Sequence, residues 1–95
     1  MTLFEQLGNV GSEVGRAIRA RDQGRDQFEG AFIRALDLLD LTLSDPRWYG
    51  HRGREIARAR EVTCDFLVGD NEYGSTGESL DAWFRAYAMA ARRGR

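Results

Sequence analysis

Apolar residues recur along this chain at helical spacing, and no stretch keeps the two-residue alternation of a strand. Leu3, Leu7, Val10, Val14, Ala17 and Ile18 share one stripe and predict a helix over Thr2–Arg21. Phe28, Phe32, Ala35, Leu36, Leu39 and Leu43 predict a second over Gln27–Leu43. Ile33, Leu38 and Leu41 fall outside that second stripe, toward its flanks or back. So broad an apolar surface on one helix implies burial from several sides. In a chain of 95 residues, a second helix pair from another subunit is a natural source of that cover. A third helix is expected from about Arg52 to Val68, with Ile56, Ala59, Val62, Thr63, Phe66 and Leu67 facing inward.

The fourth pattern is the cleanest: Leu80, Trp83, Phe84, Tyr87, Ala88 and Ala91 keep the apolar spacing without a gap. Arg92 and Arg93 sit in its last turn, where cations complement the helix dipole. Its outer face carries Ala82, Ala86, Met89 and Ala90, a smooth surface that suits a partner helix. Four such helices span about 25–30 Å each, and short connectors demand antiparallel neighbours. The expected fold is therefore all-α, a four-helix up-down antiparallel bundle forming a single domain over residues 1–95. The expected mode of action is contact with another protein, above all with a second copy, through Ile33, Leu38, Leu41, Ala82, Ala86 and Met89.

The connectors carry turn chemistry. Gly24 can supply the left-handed residue that closes a helix, and Asp26 is placed to cap the next one. Asp45 can cap and Pro46 fits a first helical position. Residues 69–78 form the densest polar segment and end in Ser75-x-x-Glu78, a capping-box spacing. Within it Tyr73 either packs back on the bundle or serves as an interface anchor. Gly8, Gly11 and Gly15 line one border of the first helix's apolar stripe. Each costs a helix about 1 kcal/mol relative to Ala, so something packs close there. A neighbouring helix is the simple explanation; a flat ligand against bare backbone is the sharper one.

Composition narrows the function classes. Hydrophobic content of 42% and charged content of 31% belong to a globular protein. A net charge of −1 lacks the bulk attraction used by nonspecific nucleic-acid binders. Every basic residue is Arg. A single cysteine, Cys64, allows neither an internal disulfide nor a thiolate metal cluster. No secretory pattern opens the chain and no apolar run approaches the ~18 residues of a membrane span, so a cytoplasmic protein is expected.

Candidate chemistry is sparse. No cofactor pattern is recognisable. Asp70, Glu72 and Glu78 fail as a calcium loop, because Ser75 stands where Gly is needed and Asp81 where Glu is needed. No Glu-x-x-His pair is available for a di-iron site, so no metal is expected. Arg47, Arg52, Arg54, Arg58 and Arg60 concentrate charge in and just before the third helix, with Trp48 and Tyr49 beside Arg47 and Arg52. Arginines interleaved with aromatics are ingredients of single-strand nucleic-acid binding. The competing reading is a solvated face on which Arg54 and Arg58 pair with Glu61 and Asp65. Arg52 and Glu55 fall beside the inward stripe and would have to pair if buried.

Arg47–Trp48–Tyr49–Gly50–His51 invites comparison with the HEPN superfamily of small helical ribonucleases. Those carry an Arg and a His with four to six residues between them, which handle phosphate and proton. Here three residues intervene, which breaks the pattern; the resemblance would make Arg47 and His51 an alternative catalytic pair. The segments 7–14, 35–42, 60–66 and 69–76 together look like a family of short prokaryotic helical proteins of unknown function. That resemblance covers nearly the whole chain and implies a small helical protein without a transferable activity. A more distant likeness to HEPN-type and nucleotidyltransferase-partner bundles rests on fold class alone.

Overall fold

The computed structural model describes residues 2–24 and 26–93. Among them the chain forms four α-helices and no strand: α1 Leu3–Asp22, α2 Gln27–Leu43, α3 His51–Val68 and α4 Gly77–Arg93, with a 3-10 turn at Pro46–Trp48 before α3.

Capping chemistry sets most of these boundaries. Glu5 N–H donates to Thr2 Oγ1 at 3.1 Å, and Thr2 N–H donates back to Glu5 Oε1 at 2.8 Å, closing a capping box on α1. The reciprocal pair at α4 is Thr76 with Ser79, at 2.9 and 3.0 Å, one residue later than the expected Ser75–Glu78. Ser75 is held instead by Asn71, whose Oδ1 accepts its N–H at 2.8 Å. Asp26 does not cap α2: its backbone is already helical (φ −62°, ψ −24°), and its carboxylate makes no cap bond. A cap needs an extended backbone to fold the side chain over the first turn. Asp45 has that backbone (φ −79°, ψ 116°) and accepts the Arg47 N–H at 3.0 Å, with Pro46 opening the short turn. Gly24 takes the expected left-handed φ of +65° after α1. Gly53 is required by contact, since a Cβ there would lie 2.7 Å from the Trp48 carbonyl oxygen.

The main core gathers Leu3, Leu7, Val10 and Val14 of α1 with Leu39, Ile56 and Phe84. A smaller cluster of Ala17, Ala31 and Leu67 closes the other end, flanked by Phe28, Phe32 and Phe66. α1 is the central helix and packs closely on both α2 and α4, while α3 stands further off. Small residues explain the difference: Ala17 and Ala20 of α1 and Ala31 and Ala35 of α2 let those backbones approach, as do Gly11 and Ala88 between α1 and α4. Phe66 of α3 and Trp83 of α4 pack, partly buried, against these clusters. The buried centre of α2 is therefore Ala31, Ala35, Leu39 and Thr42. Phe28, Phe32, Leu36 and Leu43, expected on the central stripe, are displaced to its half-buried flank.

Polar ties run between the helices. Trp48 Nε1 donates to Gln6 Oε1 at 2.9 Å, and Arg60 Nε donates to Asp40 Oδ1 at 2.8 Å. Arg21 donates to the Phe66 carbonyl at 2.8 Å while its guanidinium lies 4.4 Å from the Phe66 ring centroid, stapling α1 to α3. No helix among the described residues is long and apolar enough to cross a membrane.

Candidate docking groove between α1 and α4

The glycine border of α1 faces α4, but α4 touches only part of it. A Cβ on Gly11 would meet Phe84 Cβ at 3.3 Å, so this glycine is explained by close helix packing. A Cβ on Gly8 would meet nothing within 4 Å, and one on Gly15 would meet only the guanidinium of Arg19 from its own helix. The neighbouring-helix explanation thus covers one of these positions and leaves the outer two open.

What lies beside them is a groove of about 520 Å³ along the α1–α4 junction. Gly8, Ser12 and Gly15 form its α1 edge; Phe4, Phe84, Ala88 and Met89 supply apolar wall. Arg16, Arg19, Arg85 and Asp81 line its rim. Asp81 is taken by Arg85, which donates to it at 2.7 Å. Glu13 accepts from both Arg16 and Arg34, so one carboxylate serves two guanidiniums. Arg19 has no ion-pair partner among the described residues. Beyond the rim, Arg92 sits 5.3 Å above the Phe4 ring. The groove is apolar inside and cationic at its edge.

The residues expected at an interface fall on two surfaces. Ala82, Ala86 and Met89 are exposed on α4, and of these Met89, 40% exposed, lines this groove. Ile33 and Leu41 are exposed on α2 at 48% and 64%. Leu38 differs from these: it is half-buried and packs against the main core. Sequence reasoning found Met89 and the glycines but missed Arg16, Arg19 and Arg85. The signal was present, since Arg16 and Arg19 follow Ser12 and Gly15 by one helical turn on the same edge.

The residues of the alternative arginine site make separate contacts. Arg47 is committed to Asp45, with Nε and Nη2 donating to the carboxylate at 2.6–3.1 Å, and its guanidinium lies 4.8 Å from the Trp48 ring. The Arg47 hydrogen bonds hold the Asp45 carboxyl well below its ordinary 3.8, at about 2, and Asp45 in turn raises Arg47. His51 opens α3, is exposed, and has no hydrogen-bonded orienting partner among the described residues. Arg54 is exposed; Arg58 lies over Tyr73 at 5.5 Å.

The expected ion pairs of α3 are replaced by loop anchoring. Asp65 accepts the N–H groups of Glu72 and Tyr73 at 2.8 and 3.1 Å, and Glu61 accepts the Tyr73 hydroxyl at 2.9 Å. That last bond raises the Tyr73 phenol above its ordinary value. Tyr73 therefore folds back on α3, and the acidic side chains expected to meet Arg54 and Arg58 hold the α3–α4 connector instead. Asn71 (φ +54°) and Gly74 (φ +65°) supply its left-handed turns.

A second cleft of about 290 Å³ lies between α3 and α4, against Glu55, Arg58 and Trp83. Arg52 and Glu55 are half-buried rather than buried, so the condition for a required pair is not met, and they form no ion pair with each other among the described residues; their fields meet at Tyr87, whose phenol burial pushes up. Burial likewise raises the Cys64 thiol, against the field of Arg60. Among the described residues no group of three His, Cys, Asp or Glu side chains is placed to hold a metal ion. No family model, curated protein or solved structure matches the chain, so the reading of its function rests on this geometry.

Proposed function

We propose that this chain is a non-enzymatic, cytoplasmic helical-bundle protein that works through protein–protein contact, as a homodimer. The observation that carries the reading is apolar surface on two helices, Ile33 and Leu41 of α2 and Met89 of α4, the latter beside an open groove. Ala82 and Ala86 keep the α4 surface smooth enough for close approach. The interface reading keeps these residues and gives Leu38 a lesser part, since its side chain is already half-covered.

An up-down antiparallel course of the helices belongs to the same reading. Its support is the order of contacts along α1 and α4: Gly77 against Ile18, Phe84 against Gly11, and Arg92 over Phe4. The resemblance to short prokaryotic helical proteins fits this reading and adds no activity to it. Sedimentation velocity at micromolar concentration tests it. A dimer is expected; a chain that stays monomeric across that range refutes it.

A further inference from the structure

Two faces of the chain are opposite in charge and complementary in shape. On α2, Ile33, Asp37 and Leu41 stand at i, i+4 and i+8, a ridge of the kind that packs into the groove of another helix. All three are exposed, and Glu29 lies beside them. The other charged neighbours are already engaged: Arg34 with Glu13, and Asp40 with Arg60. Asp37 and Glu29 form no ion pair among the described residues, so the free charge of the ridge is acidic.

The α1–α4 groove is the reverse. Arg85 is matched by Asp81, but Arg16 shares its carboxylate with Arg34, and Arg19 has none among the described residues. Both faces also carry helical glycines that no other helix crowds. A Cβ on Gly30, next to the ridge, would meet only Arg34 of its own helix, just as Gly15 meets only Arg19 and Gly8 nothing. Each such glycine costs about 1 kcal/mol in a helix, with no compensating contact from another helix among the described residues.

We infer that the two faces are mates: the α2 ridge of one copy seats in the α1–α4 groove of a second copy, and the second ridge returns the contact across a two-fold axis. The inference rests on the homodimer reading and specifies its geometry. α1 packs between α2 and α4, so both faces flank the same helix, and one two-fold rotation can pair them twice. Ile33 and Leu41 cover the apolar wall at Phe84 and Met89, and Asp37 meets the Arg16–Arg19 rim. Groove on groove would set arginine against arginine, and ridge on ridge would set Asp37 against its own copy.

Charge reversal tests this by sedimentation velocity on the full chain. Asp37→Arg and Arg19→Glu change exposed side chains, and far-UV circular dichroism confirms that each variant is helical. Each single reversal is expected to weaken association about tenfold or more, and the double variant to recover it to within about threefold of the parent. Raising the salt weakens the parent dimer in the same direction. A parent that is monomeric refutes the homodimer reading itself, and this pairing with it. A dimer indifferent to both reversals, or one that the double variant does not restore, overturns the pairing alone. Mass that keeps growing beyond two copies overturns the reciprocal geometry, because it marks head-to-tail contact.

Discussion

The core of this protein contains a matched pair of buried threonines, and replacing each by valine separates two energies that are usually mixed. Thr63 of α3 is fully buried (0% exposed), and its hydroxyl has no hydrogen-bond partner among the described residues. Thr42 of α2 is as deeply buried (1%), but its hydroxyl donates to the Leu38 carbonyl at 2.8 Å. Valine has nearly the same shape and a similar helix preference, so the substitution chiefly exchanges hydroxyl for methyl. An orphaned buried hydroxyl costs about 1–3 kcal/mol, and a buried methyl contributes up to ~0.8 kcal/mol. Thr63→Val should therefore stabilise the fold by about 1–3 kcal/mol, raising the midpoint by roughly 4–8 °C per kcal/mol. Thr42→Val removes a made bond and should cost about 0.5–1.5 kcal/mol, toward the lower end because the Leu38 carbonyl keeps its helical N–H. Urea denaturation followed by far-UV circular dichroism reads both, at one protein concentration because the proposed dimer would add to apparent stability. Unchanged m-values confirm that the effect is on stability rather than on the surface exposed. If Thr63→Val destabilises as Thr42→Val does, the Thr63 hydroxyl is bonded in solution and the reasoning fails.

Three further outcomes follow from the geometry. Asp45→Asn should lower the melting temperature near neutral pH relative to the parent; because folding depresses this carboxyl from 3.8 to about 2, the stability it contributes is present above the ordinary value and lost as pH falls toward 2, so the gap between the two proteins should close over that window in a pH series of melts. Gly8→Ala should stabilise the single chain by up to about 1 kcal/mol, since its Cβ enters open space, whereas Gly11→Val should cost about 1–3 kcal/mol by driving atoms into Phe84; chemical denaturation at dilutions where the chain is monomeric compares them, and equal effects would contradict the glycine assignments. Short single-stranded RNA should show no salt-dependent binding in fluorescence anisotropy, because Arg47 is tied to Asp45 and Arg58 lies on Tyr73; binding at low salt that is lost on replacing Arg47 and His51 would restore the HEPN-like alternative.

The helical character of the chain, with α2 at Gln27–Leu43, was legible in the sequence because helical periodicity is a local property of side-chain order. So were Gly24, Asp45 and Pro46, whose roles depend on neighbours within a turn. The Asp26 cap fails because that residue's own backbone is helical, and at α4 the reciprocal bonds fall to Thr76 and Ser79 instead of Ser75 and Glu78, local details that composition does not specify. The inner face of α2 shifted for a different reason. Hydrophobicity ranks Phe28, Phe32 and Leu36 above Ala31 and Ala35, yet the close approach of α1 leaves room for alanine at the centre and sends the large side chains to the flank. Asp65 and Glu61 likewise read as partners for Arg54 and Arg58 along one helix, until the connector folds back and offers better-placed donors. The pattern of residues along the chain thus determined which elements form and which side of each is apolar. Only packing in three dimensions decided which glycines are crowded, which charges remain unpaired, and that Gly8, Gly15, Arg16, Arg19 and Met89 border one groove, because these depend on distances between segments far apart in the chain.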